Sequence, residues 1–257
     1  MVRLSKRLLQ VAAFVPHGSV LADIGTDHAL LPVYLVQQDI IKRAVAGELN
    51  EGPYEAARQQ VLSAGLTQRI DVRRGNGLSV IMPGEADTVT IAGMGGALIT
   101  DILSAGLARL AGVDTLILQP NVAEDAVRRW LLEHDYVLLD EAILTEDGVT
   151  YEILHAEHAR VAPISNEEVY KPRTLPNGLQ VNMEDNLRFG PYLLERLEEP
   201  FIAKWQEERE KLMRIRKQIA AKAESPHSEQ RLKEIDKEIE RITEVLQCTP
   251  MDKPSFR

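Results

Sequence analysis

The sequence has a single cysteine, Cys248, among 257 residues. One thiol excludes an internal disulfide framework and a zinc site built from several cysteines, and it is typical of a reducing compartment. No segment approaches the roughly 18 consecutive apolar residues that a membrane-spanning helix needs, and the start of the chain lacks the cleavage site of a signal peptide. We therefore expect a cytoplasmic protein without a membrane partner.

The sequence also lacks the G-x-G-x-x-G turn with which many strand-to-helix loops bind a pyrophosphate. In its place is a single glycine, Gly25, between two acidic residues, Asp23 and Asp27. Glycine lets the backbone pass close to a ligand, whereas the two carboxylates favour a cationic ligand over a phosphorylated one. S-adenosylmethionine, which carries a sulfonium and an amino group, fits this loop, and NAD fits it poorly.

The residues around Gly25 predict a strand that turns into a helix. Residues 20–24 are typical of a short buried strand, and a helix is predicted to begin near His28 with Thr26 or Asp27 as its N-cap. Free N–H groups at such a helix start can bind a ligand. The simpler alternative is that Asp27 only caps the helix.

Strand and helix patterns alternate through the first 160 residues. Five apolar runs, each followed by a turn and a helical pattern, are predicted at 20–24, 43–48, 70–74, 88–91 and 114–118. Two further runs, at 136–144 and 149–156, predict an antiparallel hairpin. The sequence therefore predicts an α/β fold, a doubly wound Rossmann-like sheet with an antiparallel edge strand.

Polar and glycine residues follow the second, third and fourth predicted strands. Glu48 ends the second strand, where doubly wound folds hydrogen-bond a ribose. Asn76-Gly77 follows the third, where a side-chain amide suits an adenine edge, although Asn-Gly is also a common turn signal. Gly93, after the fourth, leaves space for a flat ligand. Because such folds bind ligands at the carboxyl ends of their strands, we expect one site.

The last third of the chain has a different pattern. Residues 161–200 are rich in proline and predict a linker, and apolar residues then recur every three or four positions on both sides of 225–228. This spacing predicts two helices in an antiparallel coiled-coil hairpin. We therefore expect one domain at 1–160, followed by a linker and a C-terminal coiled-coil domain at 161–257.

The net charge of −9 argues against a nucleic-acid partner for the chain as a whole. The acidic excess lies in residues 1–159, which hold 12 basic and 21 acidic residues, whereas residues 160–257 hold 18 of each. The apolar spacing of residues 4–15 predicts a helix that carries Lys6 and Arg7. Candidates for RNA contact are these two residues and Arg209, Lys211, Arg214 and Lys217 on the first coiled-coil helix. The simpler interpretations are a packing helix and a solvated helix face.

Six short motifs occur in order along the chain. They are Asp23-Ile24-Gly25-Thr26-Asp27-His28, Ala46-Gly47-Glu48, Gly75-Asn76-Gly77-Leu78, Ile91-Ala92-Gly93-Met94-Gly95-Gly96, Leu118-Gln119-Pro120-Asn121 and Tyr151-Glu152. Together they resemble the bacterial tRNA (adenine-N1)-methyltransferases that act on the D-loop adenosine at position 22, over nearly the whole chain. The resemblance implies a class I methyltransferase domain, S-adenosylmethionine as the methyl donor and tRNA as the substrate.

The resemblance also implies roles for individual residues. It places the methionine part of the donor near Asp23, Gly25 and His28, the ribose at Glu48 and the adenine near Asn76, where the family often has aspartate. We add Gly77 and Gly93 to these cofactor-binding residues, and we assign Met94 and Asn121 to substrate binding.

Residues 92–96 read Ala-Gly-Met-Gly-Gly, where enzymes that methylate exocyclic amino groups commonly have Asn or Asp followed by Pro-Pro and an aromatic residue. A ring nitrogen has an in-plane lone pair and needs alignment more than a strong base. We therefore assign the catalytic role to Asp27, which would orient the adenine amino group and stabilise the developing positive charge.

Two other functions remain open at this point. One is a methyltransferase for a small molecule or a protein, in which the C-terminal hairpin only dimerises. The other is an interaction protein that has lost the cofactor site. Among oligomeric states, we favour a monomer.

Overall fold

The computed structural model of the protein describes residues 2–175, 178–221 and 226–247. The chain divides into two compact units, Met1–Tyr170 and Lys171–Arg257. Cys248 and positions 222–225, where the predicted reversal begins, lie outside the described residues. The first unit thus extends past residue 160, and in this extension Asn166 donates a side-chain hydrogen bond to the carbonyl oxygen of Tyr136 at 3.2 Å.

Seven strands form one sheet in the first unit. They are β1 (Val20–Ile24), β2 (Arg43–Glu48), β3 (Ile70–Arg74), β4 (Thr88–Met94), β5 (Thr115–Pro120), β6 (Tyr136–Glu146) and β7 (Val149–His158). Their spatial order is β3-β2-β1-β4-β5-β7-β6, and the first five pair in parallel. Strand β7 is antiparallel to both β5 and β6. The antiparallel strand therefore lies second from the edge, at the end of the sheet where the sequence predicted antiparallel pairing.

Helices cover both faces of this sheet. They are α1 (Lys6–Phe14), α2 (Leu30–Gln37), α3 (Glu51–Ser63), α4 (Gly96–Ala105) and α5 (Glu124–Glu133), followed by the short α6 (Asn166–Val169). Val11 of α1 and Val61 of α3 share a buried core with Ile117 of β5. Leu116 and Leu118, on either side of Ile117, are also fully buried. Since side chains alternate along a strand, these two leucines lie on the opposite face, so both faces are covered.

The loop between β1 and α2 differs from the sequence prediction. Helix α2 begins at Leu30, and its N-cap residue Ala29 makes no side-chain cap. Asp27, His28 and Ala29 have positive φ angles of 38°, 59° and 54°, which is a costly conformation for three successive non-glycine residues. The prediction that Thr26 or Asp27 caps a helix beginning near His28 is therefore wrong, because a left-handed turn precedes the helix.

The tip of the β6–β7 hairpin fixes the start of α1. The Ser5 hydroxyl accepts a hydrogen bond from the Leu8 N–H at 3.2 Å. The Glu146 carboxylate accepts hydrogen bonds from the backbone N–H groups of Lys6 at 2.6 Å and Arg7 at 3.2 Å. These N–H groups hold the pKa of Glu146 below its usual value, because they stabilise its charged form. The hairpin thus sets the position of the helix that carries Arg7.

A buried ion cluster joins α5 to the hairpin strands. Arg128 is fully buried and donates hydrogen bonds to Glu141 on β6, at 2.6 Å, and to Glu152 on β7. Burial alone would lower the pKa of Arg128, but the two adjacent carboxylates raise it above its usual value. Arg128 therefore stays charged, and the cluster ties Glu152, one of the motif residues, to the helix behind the sheet.

The second unit is mainly helical. It contains β8 (Arg173–Thr174) paired with β9 (Gln180–Val181), and the helices α7 (Met183–Phe189), α8 (Pro191–Arg196), α9 (Glu199–Ala220) and α10 (Pro226–Leu246). Helices α9 and α10 pack together, with Trp205 and Leu212 buried on one and Ile235 and Ile242 on the other. The predicted pair of helices is present, and its coiled-coil packing stays a prediction. No helix in the described ranges is long and apolar enough to span a membrane.

Candidate active site

A cavity of about 490 Å³ opens at the carboxyl ends of β1 to β4. The strand order reverses between β1 and β4, which is where doubly wound folds bind their ligands. The cavity is lined by nine residues that the sequence predicted: Arg7, Asp23, Gly25, Asp27, Glu48, Asn76, Gly77, Gly93 and Met94. Its apolar wall, which the sequence analysis missed, includes Leu31, Leu49, Leu98 and Ile102.

Asp23 lies one residue before the end of β1, with its carboxylate buried between two threonines. Its Oδ1 accepts a hydrogen bond from the Thr90 hydroxyl at 2.6 Å, and its Oδ2 accepts one from the Thr26 hydroxyl at 2.5 Å. Burial raises the pKa of Asp23 to about 6, the two hydroxyls oppose this rise, and the charges of Glu48 and Asp27 add to it. Because a nearby cation favours the ionised form, Asp23 is suited to a positively charged ligand.

Glu48 holds the loop that follows β1. Its Oε1 accepts a hydrogen bond from the backbone N–H of Asp27 at 3.1 Å, and its Oε2 accepts one from that of Leu49 at 3.2 Å. The Gly47 carbonyl oxygen accepts the Gly25 N–H at 2.9 Å. The left-handed turn is thus held by β2, and the Asp27 side chain, 76% exposed, lines the cavity.

Asn76 follows β3 at the start of a short 3₁₀ helix, Gly77–Val80. Within the ranges that the structure describes, its side-chain amide has no hydrogen-bond partner. Leu98 and Ile102 line the same cavity. The free amide can hydrogen-bond the edge of an adenine ring, and the apolar wall can pack against the face of that ring.

Gly93 and Met94 form a bulge at the end of β4. The register of β4 against β5 shifts between Ala92 and Met94, and Gly93 has a φ of 78°, which favours glycine. The Met94 side chain lies against Gly25, where an added Cβ would be only 2.1 Å from Met94 Cε. The tips of the two central strands therefore touch. A side chain at Gly25 would displace the Met94 methyl group, and the φ of 71° there favours glycine.

Gln119 is a buried residue of the site that the sequence analysis did not single out. Its Oε1 accepts hydrogen bonds from Arg7 Nη1 at 2.5 Å and from the Gly93 N–H at 3.0 Å. Its Nε2 donates to Asn121 Oδ1 at 3.0 Å, and Asn121 Nδ2 donates to the Gly93 carbonyl oxygen at 2.9 Å. The Gly93 peptide is therefore held from both sides by residues at the end of β5. The only sequence signal for Gln119 is its place in the Gln-Pro-Asn motif.

Three predicted residues lie near the cavity but not in its wall: Lys6, His28 and Asn121. The His28 imidazole is exposed, 3.8 Å from the nearest Asp27 oxygen, and the Lys6 side chain is exposed on α1. The Asn121 side chain is occupied by the hydrogen bonds just described.

Four of the six cations predicted to contact RNA belong to α9 in the second unit. Lys211 forms an exposed ion pair with Glu208 at 3.1 Å. Arg214 and Lys217 are exposed, and neither has an ion-pair partner among the described residues. The Nε atom of Arg209 is buried and has no hydrogen-bond partner in the same part of the chain.

The polar groups of the cavity are arranged by charge. Asp23, Asp27 and Glu48 make the β1–β2 side acidic, and Arg7 brings a cation to the β4 side. The acidic side fits the amino and sulfonium groups and the ribose hydroxyls of S-adenosylmethionine, and the Asn76 amide fits its adenine. The residues present therefore suit this donor with its cationic end beside Asp23.

The family model described as tRNA (adenine(22)-N(1))-methyltransferase, TrmK, matches residues 21–244. A curated Bacillus subtilis protein of that name is 43% identical over 245 residues, covering 95% of this chain and 98% of that protein. The crystal structure of B. subtilis TrmK matches with a TM-score of 0.87 at 42% identity, covering 96% of this chain and all of that one. A Streptococcus pneumoniae structure in complex with S-adenosyl-L-methionine matches with a TM-score of 0.78 at 39% identity, over 96% of this chain and 100% of that one. The chain therefore belongs to the TrmK family of tRNA (adenine(22)-N(1))-methyltransferases.

Proposed function

We propose that the protein transfers the methyl group of S-adenosylmethionine to N1 of adenosine 22 in tRNA. The observation that carries this proposal is one cavity. Asp23 and Glu48 give it an acidic side, and Asn76 adds a free amide. Asp27, on the loop between β1 and α2, lines the same cavity. The relatives at 43% and 42% identity are named for this reaction. The chain spans nearly their whole length, which supports the same activity here.

The cofactor is held by residues at four strand ends. Asp23 and Gly25 receive the methionine part, Glu48 binds the ribose hydroxyls, and Asn76 reads the adenine edge. Gly77 and Gly93 leave space for the donor beside the backbone. His28 lies outside the cavity wall and has no role in this proposal.

The acceptor is a ring nitrogen, so the protein has to align the adenine with the methyl group and does not need a strong base. Bound S-adenosylmethionine supplies an electrophilic methyl group. The N1 lone pair would form the new N–CH3 bond while the S–CH3 bond breaks and its electron pair returns to sulfur, which leaves neutral S-adenosylhomocysteine. No proton has to leave, and the positive charge passes from the sulfonium to the base. Asp27 orients the adenine amino group and stabilises this charge with its carboxylate. Met94 lies beside the base, and Asn121 acts through the Gly93 peptide that it holds.

The second unit binds tRNA in this proposal. The target base must be unstacked and turned into the cavity, so the enzyme needs contacts to the rest of the RNA. Arg209, Lys211, Arg214 and Lys217 on α9, with Lys6 and Arg7 on α1, supply cations for the phosphate backbone. We assign 161–257 to a linker and a coiled-coil domain with this task.

A tRNA substrate and a single cysteine both agree with a cytoplasmic enzyme, which we propose together with a monomeric state. Helices α9 and α10 pack together, and Leu212 and Ile235 on them are buried within the single chain. The hairpin therefore needs no second copy to cover its apolar seam.

The test is to incubate the protein with labelled S-adenosylmethionine and unmodified tRNA and then to locate the methylated nucleotide. We expect 1-methyladenosine at position 22, and no product with a tRNA that carries guanosine there. Methylation at another nucleotide, or the absence of tRNA binding even at low salt, would contradict the proposal.

A further inference from the structure

Arg7 is the cation of an otherwise acidic cavity, and its guanidinium has a defined position. It lies above the bulge of β4, since a Cβ added at Gly93 would be 3.5 Å from Arg7 Nη1 and 4.0 Å from Nη2. Its carbon Cζ also lies 5.5 Å from the centre of the Tyr151 ring, a distance typical of cation–π contacts. The side chain is half-buried, so it is held in place before any substrate arrives.

Gln119 fixes this position. It is fully buried, and its carbonyl oxygen accepts hydrogen bonds from two donors, Arg7 Nη1 at 2.5 Å and the Gly93 N–H at 3.0 Å. Its amide nitrogen donates to the Pro120 carbonyl oxygen at 2.9 Å and to Asn121 at 3.0 Å. With every amide atom engaged, the side chain has one orientation, and its oxygen must face the guanidinium.

The remaining donors of Arg7 have no carboxylate to bind. Among the described residues, no acidic oxygen lies within 4 Å of the guanidinium, even though Asp23 and Glu48 line the same cavity. A cationic methyl donor is repelled by Arg7, whereas an anion is attracted. The planar fork of an arginine matches the oxygens of a phosphate in particular.

We infer that Arg7 binds the phosphodiester of the nucleotide whose base enters the cavity, and that Gln119 is the positioning residue for this contact. The inference rests on the proposed function, because it requires a nucleic-acid substrate. It separates Arg7 from its neighbour Lys6: Arg7 belongs to the acceptor site, whereas Lys6 lies outside the cavity wall. The Gln119 side-chain oxygen accepts hydrogen bonds both from Arg7, which would bind the phosphate, and from the Gly93 peptide beside the methyl-transfer site.

The first experiment measures tRNA binding by Arg7→Ala across salt concentrations. Loss of one phosphate contact should weaken binding at low salt by about 10- to 100-fold and lower the slope of log K against log salt by about one. S-adenosylmethionine affinity should change less than about twofold, since Arg7 does not hold the donor. Arg3→Ala, which removes an exposed arginine outside the cavity wall, is the matched control and should keep the wild-type slope.

The second experiment tests Gln119. In Gln119→Leu the KM for tRNA should rise with little change in S-adenosylmethionine affinity, and the effects of Arg7→Ala and Gln119→Leu should be clearly non-additive. Gln119→Glu keeps the side-chain volume but pairs Arg7 with a carboxylate, so it should raise the KM for tRNA at least as much as Gln119→Leu, which separates the charge available at Arg7 from mere loss of packing.

The inference is overturned if Arg7→Ala keeps the wild-type salt slope, or if the two substitutions are simply additive. In either case wild-type enzyme would still methylate N1 of adenosine 22, so only the role of Arg7 and Gln119 would be lost. If wild-type enzyme does not modify that position, the proposed function itself fails.

Discussion

The Glu48 carboxylate accepts a hydrogen bond from the backbone N–H of Asp27 at 3.1 Å. The residue proposed to bind the ribose thus also holds the loop of the proposed catalytic residue. Donor binding and acceptor alignment are therefore linked through one side chain. A substitution at Glu48 should affect both steps, whereas a substitution at Asp27 should affect only the second.

Glu48→Ala should strongly weaken donor binding. The substitution removes the carboxylate that would accept the ribose hydroxyls and frees the left-handed turn. We expect the dissociation constant of S-adenosylmethionine, measured by calorimetry, to rise by about 100-fold or more. Glu51→Ala, three residues further on and outside the cavity wall, should bind as wild type does. Unchanged affinity in Glu48→Ala would remove Glu48 from the cofactor site.

Asp27→Ala should separate binding from catalysis. The side chain is exposed and its backbone contact to Glu48 is independent of the carboxylate, so donor affinity should stay within roughly tenfold of wild type while turnover falls by about 100-fold or more. The measurement is single-turnover methyl transfer with saturating tRNA. Asp39→Ala is the control, because Asp39 has a positive φ of 54° as well. If turnover is unchanged, Asp27 has no catalytic role.

Asp23 should make the unliganded protein less stable as the pH rises from about 4 to 6. Its pKa is raised to about 6 in the folded chain from 3.8, so in this interval the folded state binds a proton that the unfolded state has lost. The free energy of unfolding should therefore fall, by roughly 3 kcal/mol for a shift of about two pKa units. The check is urea unfolding of wild type and Asp23→Asn between pH 4 and 8, without donor. An identical pH profile for the two proteins would show that Asp23 ionises normally.

Reversing the two free cations of α9 should weaken tRNA binding without affecting the donor. Arg214→Glu with Lys217→Glu replaces exposed charges that have no ion-pair partner in the described part of the chain. We expect the tRNA dissociation constant to rise by about tenfold or more at low salt, with a shallower salt dependence. Arg231→Glu, on α10 and already paired with Glu234, serves as the control. Wild-type affinity in the double variant would argue for a solvated helix face.

Local patterns predicted the strands, and with them much of the site. Asp23, Glu48 and Asn76 lie at or just after the ends of three separate strands, and the parallel sheet brings all three to one cavity. This inference needs only apolar runs and the rule that doubly wound folds bind ligands at carboxyl ends. The prediction of antiparallel pairing rested in the same way on two runs that flank a short turn.

The features that sequence patterns missed depend on contacts between distant residues. The left-handed turn at Asp27 is held by Glu48, 21 positions away, so no local propensity indicates it. The sequence alone indicates no packing role for Gly96, yet an added Cβ there would lie 2.2 Å from the Ala123 carbonyl oxygen. It is a packing glycine for the loop after β5. The role of Gln119 is not visible in the local sequence, because its partner Arg7 lies on α1, 112 positions away in the chain.

The Glu146 contact at the start of α1 links the position of Arg7 to the tip of the β6–β7 hairpin. Because the hairpin tip anchors the backbone of Arg7 while Gln119 anchors its guanidinium, the arginine is clamped at two points that are 27 positions apart in the chain. If Arg7 binds the phosphodiester as we infer, the hairpin tip is a remote determinant of RNA recognition. Changes in its length or register would shift substrate preference while leaving the cofactor pocket intact.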